Sequence, residues 1–371
     1  MIRGNTDRPP TVVFSSWHGR YSDSPRAIAE ELSRRAMPVR EAWICASADA
    51  SRLPPHVERV EPGGEEEARA LAAADWIVSN DVLPLPFEKA PGARYLQTWH
   101  GTPLKRIGYD VAAPTFPDAA YHYAVELGRD VARWDVMLSP NRFTTARMRA
   151  AFRFKGEILE TGYPRNDVLR SPDAAAVRAR LRQELGIADG VRAVLYAPTW
   201  RDKFSMTIEL DLGALHAALG DDVVVLVRSH GLTAANSPRV EALGARDVTH
   251  VDDISRLYLA ADVLLTDYSS AMFDFAVTRK PMLFYTYDLE DYRDRIRGFY
   301  FDFEAEAPGP LLRTTDAVAT ALRDLDGVVE RSADAYDRFV ERFCHLDDGR
   351  AAARVVDLTL AAARDGAIGA R

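Results

Sequence analysis

The stretch Val223-Val224-Val225-Leu226-Val227 restricts the fold more than any other part of the chain. A run of aliphatic residues this rich in β-branching suits a strand buried on both faces. Strands of that kind belong to parallel sheets, whose neighbours are joined through crossover helices. The rest of the sequence alternates in the way such a sheet requires. Residues 11–14, 39–45, 76–78, 95–99, 136–138 and 158–160 read as strands, with helices predicted over 26–36, 65–74 and 141–152. The first helix has Ser24 as its expected N-cap and Pro25 at its first position. After a helix over 174–185, closed by Gly186, a second series begins with strands at 191–196, 223–227, 263–266 and 282–285. Two such series, joined near residues 165–190, predict an α/β protein of two doubly wound, Rossmann-like domains facing a cleft. The expected domains are 1–185 and 186–371, with the last helix packing back on the first. Sheets of this type bind ligands beyond the carboxyl ends of their strands. The polar segments at those ends are therefore where chemistry is expected.

Composition narrows the function. Among 371 residues, 47% are apolar and 27% charged, an ordinary globular balance for two domains. The formal charge of −8 argues against a general nucleic-acid binder, so no nucleic-acid partner is expected. Cys45 and Cys344 have neither metal-ligand spacing nor a partner pattern. They read as buried apolar residues, and neither a metal site nor a cofactor is expected. No apolar run reaches transmembrane length, and the first residues have no signal-type apolar region. A cytoplasmic location is the expectation.

Three strand ends carry the candidate chemistry. The first is Trp99-His100-Gly101-Thr102-Pro103-Leu104-Lys105-Arg106. His100 follows a predicted strand, Gly101 permits positive φ, and Thr102 with Pro103 reads as a helix start. Lys105 and Arg106 then fall in a first helical turn, where cations are unfavourable unless an anion shares that end. A general base beside a phosphate site and a plain strand-end histidine are both open on these residues. The second is Val227-Arg228-Ser229-His230-Gly231, again a hydrophobic strand ending in a cation and a histidine. The third is Leu265-Thr266-Asp267-Tyr268-Ser269-Ser270-Ala271-Met272-Phe273-Asp274. Ser269 or Ser270 is the expected N-cap of a helix whose free amides suit an anion. Asp267 ends the strand, and Asp274 lies one turn into the helix, within reach of ribose hydroxyls. Thr199 and Arg201 stand in a polar loop after the strand over 191–196. His18, in Ser16-Trp17-His18-Gly19, also follows a strand and is assigned to the acceptor side.

Taken together, these segments resemble the CDP-glycerol:poly(glycerophosphate) glycerophosphotransferases, the primases and polymerases of teichoic acids and related capsules. The matching stretches are 97–110, 196–202, 228–230, 252–254, 262–275 and 343–349, which span most of the chain. The resemblance implies a glycosyltransferase-B-like fold and a metal-independent transfer. It implies CDP-glycerol, or CDP-ribitol, as donor on the C-terminal domain, and a lipid-linked or glycan acceptor on the N-terminal one. His100 matches the family's proposed base in its WHGTP segment. Arg228 and His230 match a basic strand-end pair, with His230 the second catalytic residue expected beside His100, and Ser269 and Ser270 match the pyrophosphate-binding helix start. Gly231 stands where members often have Pro. The chain also shows no extra N-terminal region of the kind long polymerases carry, which implies a primase-like or compact capsule-type enzyme. A nucleotide-sugar glycosyltransferase of the same fold and a non-catalytic nucleotide- or polymer-binding module are the alternatives. A lipid-linked acceptor implies work at the inner membrane face. The basic helix residues Arg142, Arg147, Arg149 and Arg153, with Lys155, are read first as a solvated face and second as a contact to that membrane.

Overall fold

The computed structural model describes residues 8–84, 86–111, 117–199, 208–228 and 237–361. The chain divides into two compact units. The first takes the chain up to His100, from Gly108 to Asp167, and from Leu346 onward; the second takes Gly101–Ile107 and Val168–His345.

In the first unit, seven strands form one parallel sheet: β1 (Thr11–Ser15), β2 (Arg40–Ile44), β3 (Glu58–Val60), β4 (Trp76–Ser79), β5 (Arg94–Gln97), β6 (Val136–Ser139) and β7 (Glu157–Glu160). Their order is β3-β2-β1-β4-β5-β6-β7. The helices between them are α1 (Asp23–Arg34), α2 (Glu65–Ala73), α3 (Pro117–Val131) and α4 (Arg142–Ala151). The second unit repeats the design with β8 (Arg192–Ala197), β9 (Val223–Val227), β10 (Ala245–Asp247), β11 (Val263–Thr266), β12 (Met282–Tyr285) and β13 (Leu311–Leu312). They lie in the order β10-β9-β8-β11-β12-β13, also parallel. Helices α5 (Ala174–Glu184), α6 (Leu212–Leu219), α7 (Ser237–Ala242), α8 (Ile254–Ala260) and α9 (Ala271–Ala276) belong to it.

Both sheets are doubly wound, as predicted, and each runs outward in two directions from its first strand. Strand order therefore reverses at β1/β4 in the first unit and at β8/β11 in the second, the places where such sheets take ligands. The hydrophobic runs supplied the inner strands: β9 is buried along all but its first residue. Strands β3, β10 and β13 were not foreseen, because two or three residues at a sheet edge carry no periodic signal. Helix α1 begins at Asp23 with Ser22 in the cap position, not at Ser24.

In the first unit's core, Trp43 is fully buried, stacked on Phe14 at 5.0 Å between ring centres and edge-on to Tyr21 at 4.7 Å. The helix Ala351–Val356 closes this core, with Val355 and Val356 packed among Ile28 and Leu32 of α1. Asp167 caps that helix by accepting the Ala351 and Ala352 amides at 2.9 and 2.8 Å. Arg354 donates to the Thr161 carbonyl through two nitrogens, at 3.0 and 2.8 Å. Burial pushes the Asp167 carboxyl up to about 6, against the pull of the two amides and Arg354. An acid whose folded pKa lies above its unfolded value loses stability as pH rises between the two. Stability should thus fall as pH rises from about 4 to about 6, by up to about 3 kcal/mol from this group. Urea melts of the wild type and Asp167→Asn across that range check it: the slope should flatten in the variant.

Candidate active site

The first unit gathers its polar residues at the carboxyl ends of β1, β4 and β5. Register sets this up: β4 and β5 pair Ser79 with Gln97, so Asn80-Asp81 and Thr98-Trp99-His100 leave the sheet side by side. The Asp81 carbonyl accepts hydrogen bonds from Gln97 Nε2 (3.1 Å) and Ser79 Oγ (2.9 Å), and Gln97 Oε1 accepts the Trp99 amide (2.8 Å). Trp99, not the permissive Gly101, takes the left-handed conformation, with φ of +53°. Gly101 is not among the positive-φ residues.

His100 is held on three sides. Its Nδ1 lies 2.6 Å from the Asn80 carbonyl oxygen. Its ring stacks on Trp99 at 4.2 Å and meets Trp17 at 4.6 Å. A carbonyl oxygen can only accept, so Nδ1 must carry the proton. In the neutral ring the lone pair then sits on Nε2. That is the arrangement of a general base, with orientation and tautomer fixed by a backbone group.

Trp17 and His18 come from the turn after β1. Trp17, His18 and Gly19 have φ of +46°, +54° and +115°. The turn is closed by the Gly19 and Arg20 amides on the Ser16 carbonyl, at 3.1 and 2.7 Å. The Trp17 amide donates to Asn80 Oδ1 at 3.1 Å, and its indole Nε1 donates to Asp23 Oδ2 at 3.1 Å. His18 Nε2 lies 3.0 Å from Asp81 Oδ2. The Asp81 hydrogen bond holds the His18 imidazole above its ordinary value, outweighing desolvation. Burial pushes the Asp81 carboxyl up, but the bond to His18 and the nearby His100 and His18 charges bring it below the usual carboxylate range. Asn80 and Asp81 were missed in the sequence. The rule that found His100 and His18, a polar residue just past a strand, applies equally to them.

The segment after His100 differs from its prediction. No helix follows Gly101, so Thr102 caps none and Lys105 and Arg106 occupy no first turn. Residues 101–107 cluster with the second unit instead. Lys105 makes an isolated antiparallel bridge with Phe299, the Arg106 amide donates to the Gly298 carbonyl (3.2 Å), and the Tyr300 amide to the Leu104 carbonyl (2.8 Å). The reason is physical. Pro103 biases Thr102 to extended backbone. Leu104 is 1% exposed, and Phe299 beside it belongs to an aromatic group with Tyr268, Tyr292 and Phe303. Tertiary burial outweighs a local helix signal.

In the second unit the β8/β11 switch point holds Thr199, Asp267, Ser269 and Ser270. Asp267 Oδ1 accepts the Thr199 amide at 2.8 Å and the Tyr268 amide at 2.6 Å, tying the two strand ends together. Ser270 stands at the cap position of α9 without a side-chain cap bond, while Ser269 Oγ accepts the Ala271 amide at 3.2 Å. Asp274 lies within α9 and is buried. Arg228, at the end of β9, donates to the carbonyls of Val251 and of Asp252, the latter at 3.3 Å, and so braces the loop before α8. Arg201 and His230 lie outside the described residues. On α4 and beyond it, Arg142, Arg149, Arg153 and Lys155 are exposed, and Arg147 packs over the Phe143 ring at 4.9 Å. Among the described residues, no helix is long and apolar enough to cross a membrane.

Two doubly wound sheets, each with polar groups gathered at its switch point, define an α/β protein of the ligand-binding Rossmann-like class. Comparison with known proteins goes further. The family model described as CDP-Glycerol:Poly(glycerophosphate) glycerophosphotransferase matches residues 2–361. A teichoic acid poly(glycerol phosphate) polymerase of Staphylococcus epidermidis is 37% identical over 367 residues, 95% of this chain and 50% of that protein. A teichoic acid glycerol-phosphate transferase of Staphylococcus aureus is 36% identical, over 93% of this chain and 91% of its own. A solved structure of the wall teichoic acid polymerase TagF, a His-to-Asn variant soaked with CDPG, superposes with a TM-score of 0.88 at 35% identity, covering 97% of this chain and 90% of that one. A teichoic acid ribitol-phosphate polymerase of Staphylococcus aureus is further off, at 28% identity over 77% of this chain and 56% of its own. The chain thus spans about half the length of the first of these relatives. It belongs to the CDP-glycerol:poly(glycerophosphate) glycerophosphotransferase family.

Proposed function

We propose that this chain transfers glycerol phosphate from CDP-glycerol to a hydroxyl of a teichoic-acid-like or capsular acceptor and releases CMP. The observation that carries the reading is the His100 imidazole, whose Nδ1 is committed to the Asn80 carbonyl and whose Nε2 is therefore the basic nitrogen. The acceptor hydroxyl gives its proton to Nε2. Its oxygen bonds to the phosphorus that carries glycerol, the bond from that phosphorus to the CMP oxygen breaks, and CMP leaves with the electron pair. Phosphoryl transfer of this kind depends mainly on positioning and on charge placed near the departing oxygens. The donor is assigned to the second unit, where Asp267 fixes the strand ends, Asp274 serves the ribose, and Thr199, Arg201, Arg228, His230, Ser269 and Ser270 serve the phosphates.

Glycerol rather than ribitol is favoured as the transferred group, because the glycerol-phosphate relatives match at 36–37% identity and the ribitol-phosphate polymerase at 28%. The acceptor is assigned to the first unit as a lipid-linked or glycan chain. Contact with the inner membrane face is assigned to the exposed Arg142, Arg149, Arg153 and Lys155. The deciding experiment offers the protein CDP-glycerol, CDP-ribitol and a sugar nucleotide with a glycerol-phosphate-primed acceptor and measures nucleotide release. CMP should appear from CDP-glycerol at least tenfold faster than from CDP-ribitol, since a pocket misfit of a few atoms is worth about 1–3 kcal/mol. Release from the sugar nucleotide alone sinks the reading.

A further inference from the structure

The turn after β1 is strained at two residues, and the contacts of one of them, His18, do not justify the strain on stability grounds. Trp17 and His18 both sit in the left-handed region, where a non-glycine residue is strained. The contact that His18 gains there is an ion pair with Asp81, in which the imidazole side chain stays 67% exposed. A pair in which one partner stays that exposed stabilises a fold little. Strain held for so small a return points to a ligand, and the turn stands at the β1/β4 switch point.

The chemistry of the ligand follows from the atoms on offer. His18 Nε2 faces the Asp81 carboxylate, which fixes the proton on that nitrogen. Asp81 itself is turned inward, with Oδ1 accepting the Val82 amide at 2.8 Å. Among the described residues, His18 Nδ1 has no hydrogen-bond partner. When the ring is charged, Nδ1 is a second N–H donor beside solvent. Asn80 adds a buried amide Nδ2 with no partner among the described residues, its Oδ1 being occupied by the Trp17 amide. A cationic donor left unanswered on an exposed imidazole at a switch point suits an oxyanion. Trp17 touches the His100 ring and His18 is the next residue, so an oxyanion held at His18 stands beside the candidate base.

We propose that the His18–Asp81 pair is a subsite that binds a phosphate ester of the acceptor, next to the hydroxyl that His100 deprotonates. The inference rests on the glycerol-phosphate transfer proposed above and names what the acceptor must carry. His18 is a binding residue here, and Asp81 positions it and keeps it charged. The charged groups around the imidazole are Asp81 at the end of β4, Glu67 on α2, and His100 through Asp81; Asp23 of α1 holds the neighbouring indole and pairs with Arg165 at 3.3 Å. The carboxylates repel a phosphate, so the subsite works only while His18 is an imidazolium. Affinity for the acceptor therefore falls as pH rises above the ordinary histidine range.

Two measurements on the full chain test this. In the first, histidine ring signals are followed by NMR during titration with glycerol 3-phosphate and, separately, glycerol. The His18 signal, assigned by its loss in His18→Gln, should move with glycerol 3-phosphate and not with glycerol. In the second, acceptor kinetics are compared for a chain ending in glycerol phosphate. His18→Gln should raise the acceptor KM by about ten- to a hundredfold, the worth of one charge-assisted hydrogen bond, with little change in kcat or in the KM for CDP-glycerol. His18→Lys should keep the low KM and remove its rise at alkaline pH, and Asp81→Asn should move that rise to lower pH. The subsite is overturned by a His18 signal indifferent to glycerol 3-phosphate, or by a His18→Gln defect confined to kcat. If the wild type transfers nothing while the His18 signal still moves, the transfer reading fails and the anion subsite stands.

Discussion

Replacing His100 with alanine is expected to lower glycerol-phosphate transfer by about 10²–10⁴-fold at saturating donor and acceptor, the usual contribution of a positioned base. Incorporation of radiolabelled glycerol phosphate measures it. The geometry makes the prediction specific. The Asn80 carbonyl fixes Nδ1 as the donor, so what alanine removes is a lone pair at Nε2 with a set direction. His100→Asn can restore a hydrogen bond toward that carbonyl but offers no base, and it should be as slow as alanine. Asn80→Ala keeps the backbone carbonyl and removes the side-chain amide with its Oδ1 contact to the Trp17 amide, so at saturating acceptor it should cost far less than either. An Asn80→Ala defect equal to that of His100→Ala would mean that the indole wall, not the base, limits the reaction. Trp99 and Trp17 pack against the imidazole and limit its rotation, which is why a half-buried histidine in a turn can act as a directed base.

His100 was legible as a candidate base because it follows a hydrophobic strand, at the end where a doubly wound sheet takes its ligands; its residues alone left a plain strand-end histidine equally open. The same logic found His18, Arg228 and Asp267. What it could not find was the pairing between strand ends. That His100 would lie over the Asn80 carbonyl depends on the register of β4 against β5, fixed by burial along the whole sheet and not by residues 80 or 100. Thr102-Pro103 was misread for a related reason. Its residues have the composition of a helix start, yet Leu104 gains more by burial and by pairing with residues 298–300 than one exposed helical turn supplies. The return of the last helix to the first domain was expected, but the exact boundaries were beyond local reading. Residues 101–107 and those after Leu346 join their units through contacts with residues far away in sequence. The edge strands β3, β10 and β13 were too short to have a pattern.

The second large effect is expected at Asp267. Its Oδ1 accepts two backbone amides, from Thr199 and Tyr268, and the residue is 3% exposed. Asp267→Ala leaves both donors without this acceptor, at about 1–3 kcal/mol for each one left buried and unsatisfied. A total of about 2–6 kcal/mol is a large share of the stability of a domain this size. The damage is also directed. The two amides belong to the loops after β8 and β11, which meet at the switch point assigned to the donor. Loops released there lose the backbone geometry around Thr199, Ser269 and Ser270, so the variant that remains folded should bind CDP-glycerol more weakly. Asp267→Asn retains an oxygen at the same position and loses only the charge, so it should recover most of the stability. Thermal melts with and without CDP-glycerol separate the two effects: alanine should lower the melting temperature and shrink the shift on adding donor, whereas asparagine should affect chiefly the latter. Equal melting temperatures for wild type and Asp267→Ala would show that the two amides find other acceptors, and that the carboxylate is not what holds the strand ends together.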